Sequence, residues 1–60
     1  MYVSFPATHE KACYVLWIVY VRRLSQIHAG LLVGLNSGTV CHIVHGRRFP
    51  DAYPVPFPGL

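Results

Sequence analysis

Sixty residues hold one domain at most, near the lower limit for a self-sufficient core. Hydrophobic residues make up 53% and charged residues 12%, against about 25% charged in ordinary domains, which excludes intrinsic disorder and disfavours solubility without a partner. The net charge of +3 comes from Lys11, Arg22, Arg23, Arg47 and Arg48 against Glu10 and Asp51; it suits an anionic partner, nucleic acid or a lipid surface, without amounting to a strong basic patch.

Residues 1–11 read as an N-terminal lead containing Pro6. From Ala12 to Val21 the chain runs ACYVLWIVYV with no charge. As a secretory signal it fails, because Glu10-Lys11 precede it and Arg22-Arg23 stand where small residues belong; an intracellular location is expected. As a membrane helix it rises only about 15 Å, half the hydrocarbon thickness, and extension takes in two arginines at about 2.5–3.5 kcal/mol each. Thr8 and Glu10 are helix-start signals and Gly30 a stop, which supports a helix over 9–28. Tyr14, Val15, Trp17, Ile18, Val19, Tyr20 and Val21 are β-branched or aromatic, and both parities are apolar. This composition favours a strand near 13–21 covered on both faces.

Leu24 to Gly46 is again free of formal charge and carries Gly30, Gly34 and Gly38 at the small-residue spacing of packed membrane helices. Asn36-Ser37-Gly38 is a turn signal in its middle. A hairpin over 31–44 is predicted, with arms Leu31–Val33 and Thr39–Val44 about a turn at Gly34–Gly38. From Phe49 onwards, FPDAYPVPFPGL has the prolines of an extended or polyproline-like tail. The expected fold class is therefore mainly β: a strand plus β-hairpin meander over 12–46 and a proline-rich extended tail over 47–60. The alternative is one helix, 9–28, followed by a β-hairpin.

Cys13 and Cys41 lie in apolar runs and are expected as free, buried thiols in a reducing compartment. His9, Cys13, Cys41 and His45 form a low-ranking metal set: the i, i+4 spacing suits zinc on a helix, whereas on a strand residues four apart lie about 13 Å apart. Cys41 with His42 or His45 lacks a third orienting group for nucleophilic chemistry. Glu10 and Asp51 are far apart in sequence, and the glycine series lacks the Lys-Ser/Thr of a phosphate loop. Neither an enzyme nor a cofactor is expected. Arg22, Arg23, Arg47 and Arg48, with Trp17 or Tyr20 stacking, are the candidate nucleic-acid contacts.

Residues 14–17 (Tyr14-Val15-Leu16-Trp17) and 29–59 resemble the C-terminal region of RecD-like, Helitron-type DNA helicases. The likeness rests on Ala29-Gly30-Leu31, Leu35-Asn36-Ser37-Gly38-Thr39-Val40-Cys41-His42-Ile43-Val44, Gly46-Arg47-Arg48-Phe49-Pro50-Asp51-Ala52-Tyr53-Pro54-Val55 and Phe57-Pro58-Gly59. The resemblance implies a small SH3-like β module beside a DNA channel. Ser37 is inserted into the family's Asn-Gly turn and every ATPase motif is absent. What the resemblance implies is thus a fragment of a larger parent protein or a decayed transposon-derived reading frame, with no catalytic residue to carry over.

The first functional expectation is a non-enzymatic module contacting nucleic acid. The second is a small membrane-associated protein with Ala12–Val21 in the lipid interface. A third is a reading frame without a selected function. An unassembled chain with Val15–Val21 exposed should self-associate.

Overall fold

The computed structural model describes residues 7–60; of the expected lead, residues 1–6 lie outside them. Three helices follow one another: α1 (His9–Tyr20), α2 (Gln26–Val33) and α3 (Ser37–Val44). Each opens on an oxygen-bearing side chain that takes up an orphan backbone N–H of the first turn. The Thr8 hydroxyl accepts from Lys11 N at 3.2 Å, the Ser25 hydroxyl from His28 N at 3.1 Å, and the Asn36 amide oxygen from Thr39 N at 2.7 Å. Glu10 in the first turn of α1 lies at the positive end of the helix dipole.

The stops are equally local. After Tyr20, Val21 N and Arg22 N both donate to the Trp17 carbonyl (2.9 and 3.1 Å), and Arg23 turns the corner at φ 61°. Gly34 ends α2 at φ 78°, a left-handed conformation that glycine adopts without a Cβ penalty. After His45, Arg47 N and Arg48 N bond back to the His42 carbonyl at 2.8 and 3.3 Å.

The mainly β expectation is overturned: no strand occurs among the described residues. The expected strand at 13–21 lies on α1, and the expected hairpin at 31–44 is the end of α2, a short connection and α3. No β-hairpin survives in the alternative either. Its helix, expected over 9–28, is capped by Thr8 and begins at His9 but closes at Tyr20, and Gly30, expected as its stop, falls inside the separate helix α2. The SH3-like β fold implied by the helicase resemblance is likewise absent from residues 29–60.

The core explains why β-branched residues accept helical backbone. Ala12, Val15 and Ile18 of α1 meet Ala29 and Val33 of α2, Leu35 of the connection, and Val40 and Ile43 of α3. Intrinsic helix propensity costs a β-branched residue at most about 0.7 kcal/mol relative to alanine, whereas burying a valine or isoleucine side chain gains about 1.5–3 kcal/mol. Packing wins. The tail closes the other side of α1: Val55 N donates to the Cys13 carbonyl at 3.2 Å, and the Phe57 ring meets Tyr14 edge-on at 5.2 Å. α1 is therefore enclosed by α2 and α3 on one side and by the tail on another, which is where a helix apolar on most faces belongs.

Asn36 carries the start of α3. Asn36→Ala should destabilise the fold by about 1 kcal/mol, a fall of about 4–8 °C in the melting midpoint of so small a domain. Thermal denaturation followed by circular dichroism checks this, and Asn36→Asp should retain most of the stability.

Candidate interaction surface

Ala12, Cys13, Val15 and Ile18 are buried and Tyr14, Leu16, Trp17 and Val19 are half-buried against the core, so most of the apolar run from Ala12 to Val21 faces protein. Exposure begins where that run ends. Tyr20 and Val21 are 53% and 56% exposed, Arg22 and Arg23 are exposed, and on α2 Ile27 and Leu31 reach 65% and 77% with Leu32 at 40%. Ile27 and Leu31 are four apart and share one helix face. With Leu35, Asn36 and Ser37 they line an open groove of about 460 Å³.

The α1–α2 corner positions this surface. The Leu24 N–H donates to the Ile18 carbonyl at 3.2 Å, tying the corner to the helix it leaves. Ser25 caps α2 and its hydroxyl also lies 3.0 Å from His28 Nδ1. Both carboxylates are elsewhere. Glu10 is in the first turn of α1, about 15 Å of helix from Tyr20, and Asp51 lies against His9. Between Lys11 and Arg47 the formal charges are Arg22 and Arg23 alone.

The four predicted arginines are only partly brought together. The Tyr20 hydroxyl donates to the Val44 carbonyl at 3.2 Å, so the segments carrying Arg22-Arg23 and Arg47-Arg48 leave from neighbouring helix ends. Arg48, however, has its guanidinium over the Phe49 ring at 5.4 Å, and that ring is 6.2 Å from His9 at the start of α1. Trp17 is half-buried against the core, leaving Tyr20 as the exposed aromatic of the pair.

The low-ranking metal set His9, Cys13, Cys41 and His45 is not assembled: among the described residues no three His, Cys, Asp or Glu side chains are placed to hold a metal ion. Both cysteines are free. His9 and Cys13 do meet, Nδ1 to Sγ at 3.7 Å, as their spacing on a helix dictates. Asp51 Oδ2 stands 3.6 Å from the other ring nitrogen, Nε2. That third member comes from the tail, and no local motif announces it. Next to this group Tyr14 donates to the Glu10 carboxylate at 3.2 Å; desolvation, then that carboxylate, raises the phenol above its ordinary pKa.

Among the described residues no single helix is long and apolar enough to cross a membrane, and α2 with α3, which together reach that length, are bent by 112°. The chain matches no known protein family, no curated protein and no solved structure.

Proposed function

We propose that this chain is a small non-enzymatic helical module that docks on an anionic lipid surface through residues 20–32. One observation carries the reading: five of its exposed large apolar side chains, Tyr20, Val21, Ile27, Leu31 and Leu32, flank an exposed arginine pair. Scattered surface apolar residues are ordinary; a stretch of thirteen residues that exposes five of them beside a cation pair, with both carboxylates placed elsewhere, offers apolar insertion together with contacts to lipid phosphates. The apolar side chains enter the headgroup–acyl boundary while Arg22 and Arg23 meet lipid phosphates and carboxylates. This assigns the interface to the end of the apolar run and to α2, because Ala12–Ile18 is engaged in the core.

Co-sedimentation with phosphatidylcholine vesicles, with and without phosphatidylserine, tests the proposal. Binding should require the anionic lipid at low salt. Leu31→Glu, at a side chain 77% exposed, should weaken it at least about tenfold, since burying a leucine is worth about 1.5–3 kcal/mol. Arg22→Ala should weaken it about fivefold, from about 1 kcal/mol per cation near a charged leaflet. Unchanged binding by Leu31→Glu would defeat the reading.

The Tyr20–Val44 hydrogen bond favours a second reading, in which Arg22, Arg23, Arg47 and Arg48 contact a nucleic acid with Tyr20 stacking. Its signature differs: affinity for a single-stranded oligonucleotide falls linearly in log salt, by about 0.7 per phosphate contacted, and ignores Leu31→Glu.

A further inference from the structure

His9, Cys13 and Asp51 form the one connected array of a thiol, an imidazole and a carboxylate described above, and the lipid-surface reading makes no use of it. The array has a definite order: thiol to Nδ1 at 3.7 Å, Nε2 to carboxylate at 3.6 Å. A carboxylate facing one imidazole nitrogen at 3.6 Å, an ion-pair distance and not a hydrogen bond, favours by its charge the proton on that nitrogen and leaves the other nitrogen as base. The thiolate, not the thiol, is the nucleophile, so a base fixed beside the sulfur controls its reactivity.

The surroundings suit a small reagent only. Cys13 is 4% exposed, while the His9 and Asp51 side chains are 46% and 80% exposed. The tail fences the group: Phe49 and Tyr53 stand edge-on to His9 with centroids at 6.2 and 6.3 Å, and Val55 is bonded to the Cys13 carbonyl. Cys41, half-buried on α3, is a built-in reference thiol.

We propose that Cys13 is an oxidation site for small hydroperoxides, with His9 as its base and Asp51 as the positioning residue. The Cys13 proton passes to His9 Nδ1. The thiolate then attacks the terminal O–H oxygen of the peroxide, forming an S–O bond as the O–O bond breaks. Sulfur is oxidised by two electrons to the sulfenic acid and the peroxide is reduced; the departing hydroxide (alkoxide for an organic hydroperoxide) takes the proton back from His9 and leaves as water (or the alcohol).

The test exposes the reduced full-length chain to hydrogen peroxide, traps sulfenic acid with dimedone, and follows Cys13 and Cys41 separately by peptide mass spectrometry. At neutral pH Cys13 should be labelled about tenfold faster than Cys41 although it is the more buried, a fraction of what a positioned base contributes to reactions in general. His9→Gln should remove that advantage and leave Cys41 unaltered. Asp51→Asn, at an exposed side chain, should displace the pH profile of Cys13 labelling while the helical circular dichroism stays the same. In concentrated urea the two thiols should react equally, which ties the advantage to the folded geometry. Equal or faster labelling of Cys41 in the folded chain, an undiminished Cys13 rate in His9→Gln, or an advantage that persists in urea would each overturn the proposal.

Discussion

Ile18→Ala is expected to leave much of the chain unfolded at room temperature. Ile18 is 0% exposed and is among the largest fully buried side chains, with Ile43, Val15 and Val40. Its removal costs the transfer energy of the lost carbons plus that of the cavity left behind, together about 2–5 kcal/mol. A chain of sixty residues has about 3–9 kcal/mol of stability in total by per-residue scaling, and a core this small seldom supplies more than about 3–5 kcal/mol. The loss is therefore comparable to the whole. Urea denaturation followed by Trp17 fluorescence measures it, and Ile18→Val, expected at about 0.5–1.5 kcal/mol, keeps the comparison quantitative if the alanine variant does not fold. Ile27→Ala, at an exposed position, should lie within about 0.5 kcal/mol of the parent. Equal effects at positions 18 and 27 would show that α1 does not pack through Ile18.

The same residue explains why the sequence was misleading about secondary structure. Tyr14 to Val21 is β-branched and aromatic, and its apolar residues fall on every helical face as readily as on both faces of a strand. The cover on both faces was expected of a strand, and there is none among the described residues: helix α1 is covered instead by α2 and α3 against Ala12, Val15 and Ile18, and by the tail against Cys13 and Tyr14. Thr8 was legible as a helix start because capping is local chemistry. Asn36 was legible as a special position too, but its side chain serves a helix N-terminus as well as a turn, and only the packing of Val40 and Ile43 selects between them.

The candidate surface was legible in its charge and hidden in its apolar part. Arg22 and Arg23 stand out in any reading of the chain. That Ile27 and Leu31 face outward depends on which side of α2 meets α1 and α3, and α2 offers apolar residues on several sides. Gln26 and His28 are its polar residues; Ala29, Gly30 and Val33 are the ones taken inward. The smallest residues were chosen for the core and the larger ones left outside, a selection made by the closeness of the connection at Leu35 and not by hydrophobicity.

That closeness leads to the other large effect. Gly30→Ala should lower stability by about 1–2 kcal/mol and the melting midpoint by about 4–16 °C, using the sensitivity of small domains. A Cβ on Gly30 would lie 2.5 Å from the Leu35 carbonyl oxygen and 3.3 Å from Val40 Cγ2. The oxygen is backbone and cannot swing away, because the connection is pinned: the Gly30 carbonyl itself accepts from Gly34 N at 2.8 Å and Leu35 N at 2.9 Å. Overpacking of this kind costs about 1–3 kcal/mol, occasionally more, and exceeds the gain of up to about 1 kcal/mol that alanine brings to a helix interior. Gly38 supplies the opposite sign. A Cβ there meets only the Asn36 side-chain oxygen, at 3.4 Å, so Gly38→Ala should stabilise α3 by up to about 1 kcal/mol. In a hairpin turn, with Gly38 at positive φ, the same substitution would destabilise. Thermal melts of the two alanine variants thus separate the helical connection from the hairpin: a lowered midpoint at position 30 with a raised one at position 38 fits only α2 packed closely against Leu35 and Gly38 inside α3.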